Sequence, residues 1–267
     1  MIKKEDFKNV KFNDLERVYL GGTGRMYRFN LGGVNYLYKP AEMKNTRIKQ
    51  PFRGYVQECA STVQGIIDKK SKIDCIYVDT DELCGSIQVE IDKLDFRYGV
   101  VQDTNEYNFT EEEINQFLRE FITDYLLCNF DAHGSNFILG KNGIIYGIDK
   151  EQSFRYLNLK EFDMFDLDCN PNDVYGEREL IYHYIFRRYI EGNLDIDFNI
   201  IEEYISNVER VSDEEYIDIF KDYIEARKHR IDESYLSRLI LNRKKYLRNN
   251  IYNFINDLQE KRGVKHI

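Results

Sequence analysis

Tryptophan is absent from this 267-residue sequence, and no stretch approaches 18 consecutive apolar residues. The second absence excludes a membrane-spanning helix. There is no excess of basic residues. The formal net charge is -9, which argues against a general nucleic-acid binder, because neutralising phosphates requires a basic surface. No Cys-x-x-Cys pair occurs among Cys59, Cys75, Cys84, Cys128 and Cys169. An odd, scattered set of this kind reads as reduced thiols in a cytoplasmic protein, not as a disulfide framework. The opening Met-Ile-Lys-Lys-Glu-Asp is followed by no apolar run, so no signal peptide is expected. Internal repeats and low-complexity linkers are also missing. The length suits one two-lobed domain or two small ones, and a hydrophobic content of 42% allows a sizeable core.

The most informative stretch runs from Asp124 to Phe154. Two apolar runs, Phe137 to Leu139 and Ile144 to Ile148, are separated by Gly140, Lys141, Asn142 and Gly143, which predicts a β-hairpin. Asn136 precedes the first run and Asp149 follows the second, so the hairpin is expected to bring them side by side. An amide oxygen and a carboxylate are hard ligands of the kind Mg²⁺ takes alongside phosphate oxygens. Asp131 lies five residues before Asn136, in a loop after an apolar helix, and is a candidate base. A lone Asp or Asn near a turn is usually a turn residue. Three in this register match the arrangement by which kinases hold a hydroxyl acceptor beside Mg-nucleotide.

Upstream, Gly21-Gly22-Thr23-Gly24 allows close approach of backbone to a ligand. Alternating residues then predict a hairpin turning at Gly32-Gly33 and ending at Lys39-Pro40. A Walker loop would instead join a strand to a helix and carry its Lys directly. A Gly loop ahead of a hairpin, with Lys39 on the return strand, has the protein-kinase order. Residues 55–67 have helical spacing and carry Glu58, the expected partner of Lys39. Residues 73–79 and 84–91 read as two further strands, followed by a mixed segment, Asp92 to Val101, expected to be the hinge. Adenine is expected to meet the backbone around Val89 to Ile91. The predicted fold is α+β and two-lobed, with a small antiparallel β-rich lobe (1–92) that binds nucleotide and a larger helical lobe (93–267) that carries the catalytic and metal loops.

Thr110 with Glu113 forms a capping box ahead of a helix whose stripe is Ile114, Phe117, Leu118, Phe121, Ile122, Tyr125 and Leu126. Further helices are expected over 177–189, 213–227 and 234–258. Between Phe154 and the first of these lies an acidic segment with Glu161, Asp163, Asp166, Asp168 and Asp173. An acidic lining favours a basic peptide over an anionic head group as acceptor.

Asp131-Ala-His133-Gly-Ser-Asn136-Phe, followed by Gly147-Ile148-Asp149 and Ser153-Phe154, resembles the atypical kinase group that joins HipA-like serine/threonine kinases with phosphatidylinositol 3- and 4-kinases. Gly21 to Gly24, Lys39-Pro40 and Glu58-Cys-Ala fall in the matching order. The resemblance implies ATP and Mg²⁺ as cofactors, Asp131 as the group that accepts or orients the acceptor's proton, and His133 as support for that loop. It implies Asn136 and Asp149 as metal ligands, Lys39 on the nucleotide phosphates and Glu58 as its positioner. The sequence departs from the group at Lys150, where Asn or Phe is commoner. The resulting expectation is an ATP-dependent kinase acting on Ser or Thr of a protein or peptide. The alternatives are a small-molecule or lipid head-group kinase and a nucleotide-binding pseudokinase.

Overall fold

The computed structural model describes residues 2–19, 25–42, 49–104, 107–154 and 180–265. The Gly21-Gly22-Thr23-Gly24 loop and the acidic segment with Glu161, Asp163, Asp166, Asp168 and Asp173 lie outside the described residues.

The small lobe is an antiparallel sheet of β1 (Glu16–Val18), β2 (Met26–Leu31), β3 (Val34–Pro40), β4 (Cys75–Asp79) and β5 (Cys84–Val89), in the order β1-β2-β3-β5-β4. The β2–β3 turn is made by Gly32 and Gly33, both at positive φ. Such a turn matches the twist of the flanking strands, and glycine adopts it without a steric penalty. The register sets Tyr27 opposite Tyr38 and Phe29 opposite Tyr36. Period-2 alternation therefore collects these four rings on one face, where Phe7, Ile76, Val78, Leu83 and Ile87 complete a separate small core. Lys39 points to the opposite face, as alternation requires.

The helix α1 (Pro51–Ile67) packs against β4 and β5. It starts four residues earlier than its apolar spacing suggests, because Pro51 sits in the first turn, where a missing N–H costs nothing. Its apolar residues Val56, Cys59, Ala60, Val63 and Ile67 belong to the core of the helical lobe, not to that of the sheet. The Cys59 thiol donates to the Ile219 carbonyl at 3.1 Å. Thus α1 is shared in packing, lying against β4 and β5 while its apolar residues join the core of the large lobe.

The hinge segment is shorter than expected, because α2 (Tyr98–Thr104) begins within it. Its backbone pairs with the following hairpin through Leu94 N to Leu139 O and Lys141 N to Asp92 O, both 2.9 Å. The helix α3 (Glu111–Leu126) opens with the expected Thr110–Glu113 capping box. The hairpin of β6 (Phe137–Leu139) and β7 (Ile145–Gly147) follows.

Among the described residues the remaining helices are α4 (Ile181–Ile190), α5 (Ile200–Glu209), α6 (Asp213–Asp218), α7 (Lys221–Arg227), α8 (Glu233–Lys245) and α9 (Leu247–Lys265). Two expected long helices are each broken in two. The first breaks at Ile219-Phe220, where the Ile219 carbonyl accepts from Cys59 and Phe220 turns fully inward. The second breaks at Tyr246. The helix α5 had no counterpart in the sequence reading.

The helices α5 and α9 are joined by a charged fork. Arg248 meets Glu202 at 2.6 Å and Glu209 at 2.7 Å, and Tyr252 donates to Glu202. Hydrogen bonds from Arg248, Tyr252 and Ser206 hold the Glu202 carboxyl down at about 2 from an ordinary 4.5. A carboxyl depressed by folding stabilises the protein above its unfolded pKa and loses that contribution as pH falls through the folded one. The stability gap between wild type and Glu202→Gln in urea melts should therefore be constant above pH 5 and shrink between pH 4.5 and 2. A gap that does not change with pH would contradict this.

Candidate active site

Asp131, His133 and Asn136 lie on the loop between α3 and β6, and Asp149 lies just past β7. The two loops are clasped by backbone bonds: Ile148 N to Asn136 O at 2.9 Å and Phe154 N to Leu127 O at 3.0 Å. Gly134 is needed where the Asp131–Asn136 turn meets α2, since a Cβ there would fall 2.6 Å from the Tyr98 carbonyl oxygen. The hairpin register differs from the expected one by one residue. Phe137 pairs with Gly147, so Asn136 faces Ile148 and Asp149 lies one step beyond. The physical reason is a tight three-residue turn, Lys141 to Gly143, closed by Gly140 N to Ile144 O at 2.8 Å with Gly143 at positive φ, where setting Asn136 opposite Asp149 would need an even number of turn residues.

Asp149 adopts the left-handed conformation at φ 58°, ψ 46°, which Asp tolerates better than bulkier residues do. This turns its side chain toward β3. The Lys39 ammonium lies 2.5 Å from Asp149 Oδ1 and 3.1 Å from Glu151 Oε2. Lys39 is 15% exposed and Asp149 36%, so the pair lies at the wall of an open cleft. Burial opposes the charge on each. Even so, the two carboxylates push Lys39 up to about 12. The Lys39 ammonium holds Asp149 below the ordinary carboxylate range, with Arg53 and His133 adding to the effect.

The structure reassigns the partner of Lys39. Glu58 does not reach it; its Oε2 accepts from Tyr77 N at 3.0 Å on the edge strand β4 and lies 3.5 Å from Lys4. The face of α1 that meets the Asp149 loop carries Gln57 and Gln64, two turns apart. Gln57 accepts from Lys150 N and Gln64 donates to Gly147 O. Glu58, one residue on, is rotated about 100° away. Beside Asp149, the acid that meets Lys39 is Glu151, itself clamped by Arg53 at 2.6 Å.

Glu151 and Arg53 were missed in the sequence, although the i, i+2 spacing of Asp149 and Glu151 was a usable signal. In an extended segment these two would share a side and Lys150 would take the other. The segment is instead a 3-10 turn, Lys150–Gln152, after the left-handed Asp149, and Lys150 still points away from the pair. It is 2% exposed and its ammonium lies 2.6 Å from Asp124 and 3.4 Å from Glu120 on α3, both at 0%. Tyr182 and Asn129 also donate to Asp124, at 2.6 and 2.8 Å. The residue at which the sequence departs from the resembled family is thus a buried cation that pins the Asp149 loop to α3. Burial raises the Asp124 carboxyl, and Lys150 partly offsets this. Gly147 leaves room for the cluster, since a Cβ there would fall 2.1 Å from Glu120 Oε2 and 2.7 Å from Lys150 Nζ.

Asn136 Nδ2 donates to the Asp131 carbonyl at 2.6 Å. Its amide nitrogen is thereby committed, which leaves the oxygen as the end available to a cation. His133 Nε2 lies 3.7 Å from Asp131 Oδ1, and the Asp131 side chain is 40% exposed. Among the described residues no group of three His, Cys, Asp or Glu side chains converges as a metal cage. A two-oxygen set, Asn136 and Asp149, suits Mg²⁺, which keeps waters and substrate phosphates as its other ligands. At the expected adenine site, Val89 N donates to Asp74 O and Glu90 N to Asn35 O. Val89 is therefore a sheet residue with its N–H spent, and hinge backbone available to a base begins past it, at Ile91. A cavity of about 200 Å³ lined by Phe12, Tyr27, Tyr38 and Glu82 lies on the sheet face opposite Lys39 and is separate from this site. Among the described residues no helix is long and apolar enough to cross a membrane.

No family model matches the sequence, and no curated protein matches it. Among solved structures the chain is similar to the crystal structure of a Helicobacter pylori proinflammatory kinase, CtkA, at 12% identity and a TM-score of 0.50. The match covers 88% of this chain and 94% of that one. The likeness extends over both lobes, and the fold of this chain is the two-lobed kinase-like one.

Proposed function

We propose that this chain is an ATP- and Mg-dependent phosphotransferase that moves the γ-phosphoryl group to a Ser or Thr hydroxyl of a protein or peptide. The observation that supports it best is the meeting of Lys39 on β3 with Asp149 on the metal loop at 2.5 Å, across 110 residues of sequence and beside the Asp131–Asn136 loop. A Lys and a carboxylate from opposite lobes at the wall of one cleft are the two groups phosphoryl transfer needs beside a catalytic-loop Asp and Asn.

The residues divide the work by position. Asp131, exposed enough to meet an acceptor, takes the hydroxyl proton as the oxygen attacks. Asn136 and Asp149 present oxygens that would hold the cation. Lys39, released from Asp149, turns its ammonium to the phosphate oxygens. Mg²⁺, when bound, neutralises charge on the transferring group. His133 supports the Asp131 loop. Catalysis then rests on positioning and charge neutralisation in a preorganised cleft.

The test is a melting assay with ATP, in Mg²⁺ and in EDTA, followed by transfer from labelled ATP to a basic peptide pool. A ligand at about 100 times its Kd should stabilise the fold by about 2.7 kcal/mol, and label should appear on Ser or Thr. No stabilisation by Mg-ATP would sink the reading. Binding without transfer to any acceptor would identify a pseudokinase, and transfer only to small hydroxyl compounds would move the acceptor class.

A further inference from the structure

Lys39 has two carboxylate partners, and only one is free to stay when nucleotide binds. Asp149 is the candidate metal ligand, so its oxygens are required by the cation once the site is loaded. Glu151 is differently placed. Its Oε2 lies 3.1 Å from Lys39 and its Oε1 2.6 Å from Arg53 NH2, and its side chain is 14% exposed. Arg53 is fixed in turn, since its NH1 donates to the Glu42 carbonyl at 3.1 Å. A carboxylate held from behind by a guanidinium cannot rotate away without leaving a half-buried cation unmatched. Lys150, between the two acids, is anchored to Asp124 and Glu120 and fixes the loop that carries them both.

From this geometry we infer that Glu151 is the positioning residue for Lys39, with Arg53 as its clamp, and that the metal loop itself supplies the anchor for the phosphate-binding lysine. The inference rests on the proposed function. It separates two jobs on one short segment: Asp149 exchanges Lys39 for the cation, and Glu151 keeps the ammonium aimed at the phosphates after that exchange. Glu58 has no part in it, because its carboxylate is engaged by Tyr77 N and Lys4 on the far side of α1.

Two measurements test it on the full chain. The first is calorimetric binding of ADP in Mg²⁺ and in EDTA, which needs no turnover. Glu151→Gln should weaken ADP about tenfold in both conditions, because a misaimed lysine loses its charge-assisted bond to phosphate with or without metal. Arg53→Met should act in the same direction and Glu151→Asp should recover part of the loss. Asp149→Asn should weaken binding only in Mg²⁺, and Glu58→Gln should bind as wild type does. The second is a double-mutant cycle in urea on the ligand-free protein with Lys39→Met and Glu151→Gln, in which the second substitution should add little to the first. Wild-type affinity in Glu151→Gln would overturn the inference. So would a loss confined to Mg²⁺, which would make Glu151 a metal ligand. Failure of the wild type to bind ADP in either condition would overturn the proposed function. Coupling in the ligand-free cycle would then mark a purely structural ion pair.

Discussion

Lys150→Met is expected to lower the stability of the protein by about 3–5 kcal/mol, the range for removing one partner of a buried ion pair. For a chain of this size that corresponds to a fall in Tm of roughly 10 °C. Methionine fills much of the lysine volume, so the loss is electrostatic. Asp124 and Glu120 are both at 0% exposure, and without the ammonium two carboxylates remain in the core with no cation between them except Arg119 beside Glu120. Tyr182 and Asn129 can each donate one hydrogen bond to Asp124 but cannot neutralise it. Adding Asp124→Asn to Lys150→Met should recover a good part of the loss, because the residual charge is removed, Asn129 keeps an oxygen to meet and the Tyr182 hydroxyl can accept from the new amide nitrogen. Urea melts of the two singles and the double would check this. A Lys150→Met protein within about 1 kcal/mol of wild type would show that the cluster relaxes or hydrates, contrary to its burial.

The second large effect is catalytic. Asp131→Asn should reduce the rate of phosphoryl transfer by about 10²–10⁴-fold, the usual contribution of a positioned general base. Nucleotide affinity should hardly change. The loop that carries Asp131 is built from its backbone: Asp131 N donates to Asn129 at 3.3 Å and Asp131 O accepts from Asn136 at 2.6 Å. Both bonds survive the substitution, so a loss of rate reports on the carboxylate and not on the loop. Asp149→Asn, by contrast, should lose both transfer and the Mg-dependent part of binding. Single-turnover transfer to a peptide substrate, measured beside ADP affinity, separates the two variants. Transfer retained within about tenfold in Asp131→Asn would show that Asp131 only orients the acceptor.

The α+β, two-lobed arrangement could be read in advance because it follows from local patterns. The Gly32-Gly33 turn, the alternation on either side of it and the Thr110–Glu113 capping box each act over a few residues. Lys39 and Asp149 could be named because the kinase order of the motifs puts both beside the nucleotide, although their direct contact was not expected. The partner of Lys39 could not, because a helix offers a new face every 100° and the choice between Gln57 and Glu58 depends on how α1 docks. Placing α1 requires the packing of Val56, Cys59 and Val63 against helices more than 130 residues away in sequence. Lys150 posed a different difficulty. Among charged neighbours a lysine reads as solvated, and its burial becomes evident only when Glu120 and Asp124, one turn apart on α3, are known to face the hairpin. The one-residue shift in the β6–β7 register has a smaller cause, a three-residue turn, Lys141 to Gly143, closed by the Gly140–Ile144 bond.

The shared position of α1 bears on how this cleft can be regulated over time. A helix whose apolar stripe lies in the large lobe's core cannot swing outward as a rigid arm. Freeing Val56, Cys59, Ala60, Val63 and Ile67 would expose five buried side chains at about 1.5–3 kcal/mol for each of the larger ones, a sum comparable to the whole stability of a domain. Such an event is local unfolding, with the population and rate of an unfolding reaction, and is not a switch reached by thermal motion. Because α1 also packs against β4 and β5, it ties the sheet to the helical lobe. A partner that blocks the proposed activity would have to fill the cleft, because prying the helix away costs as much as denaturing the protein.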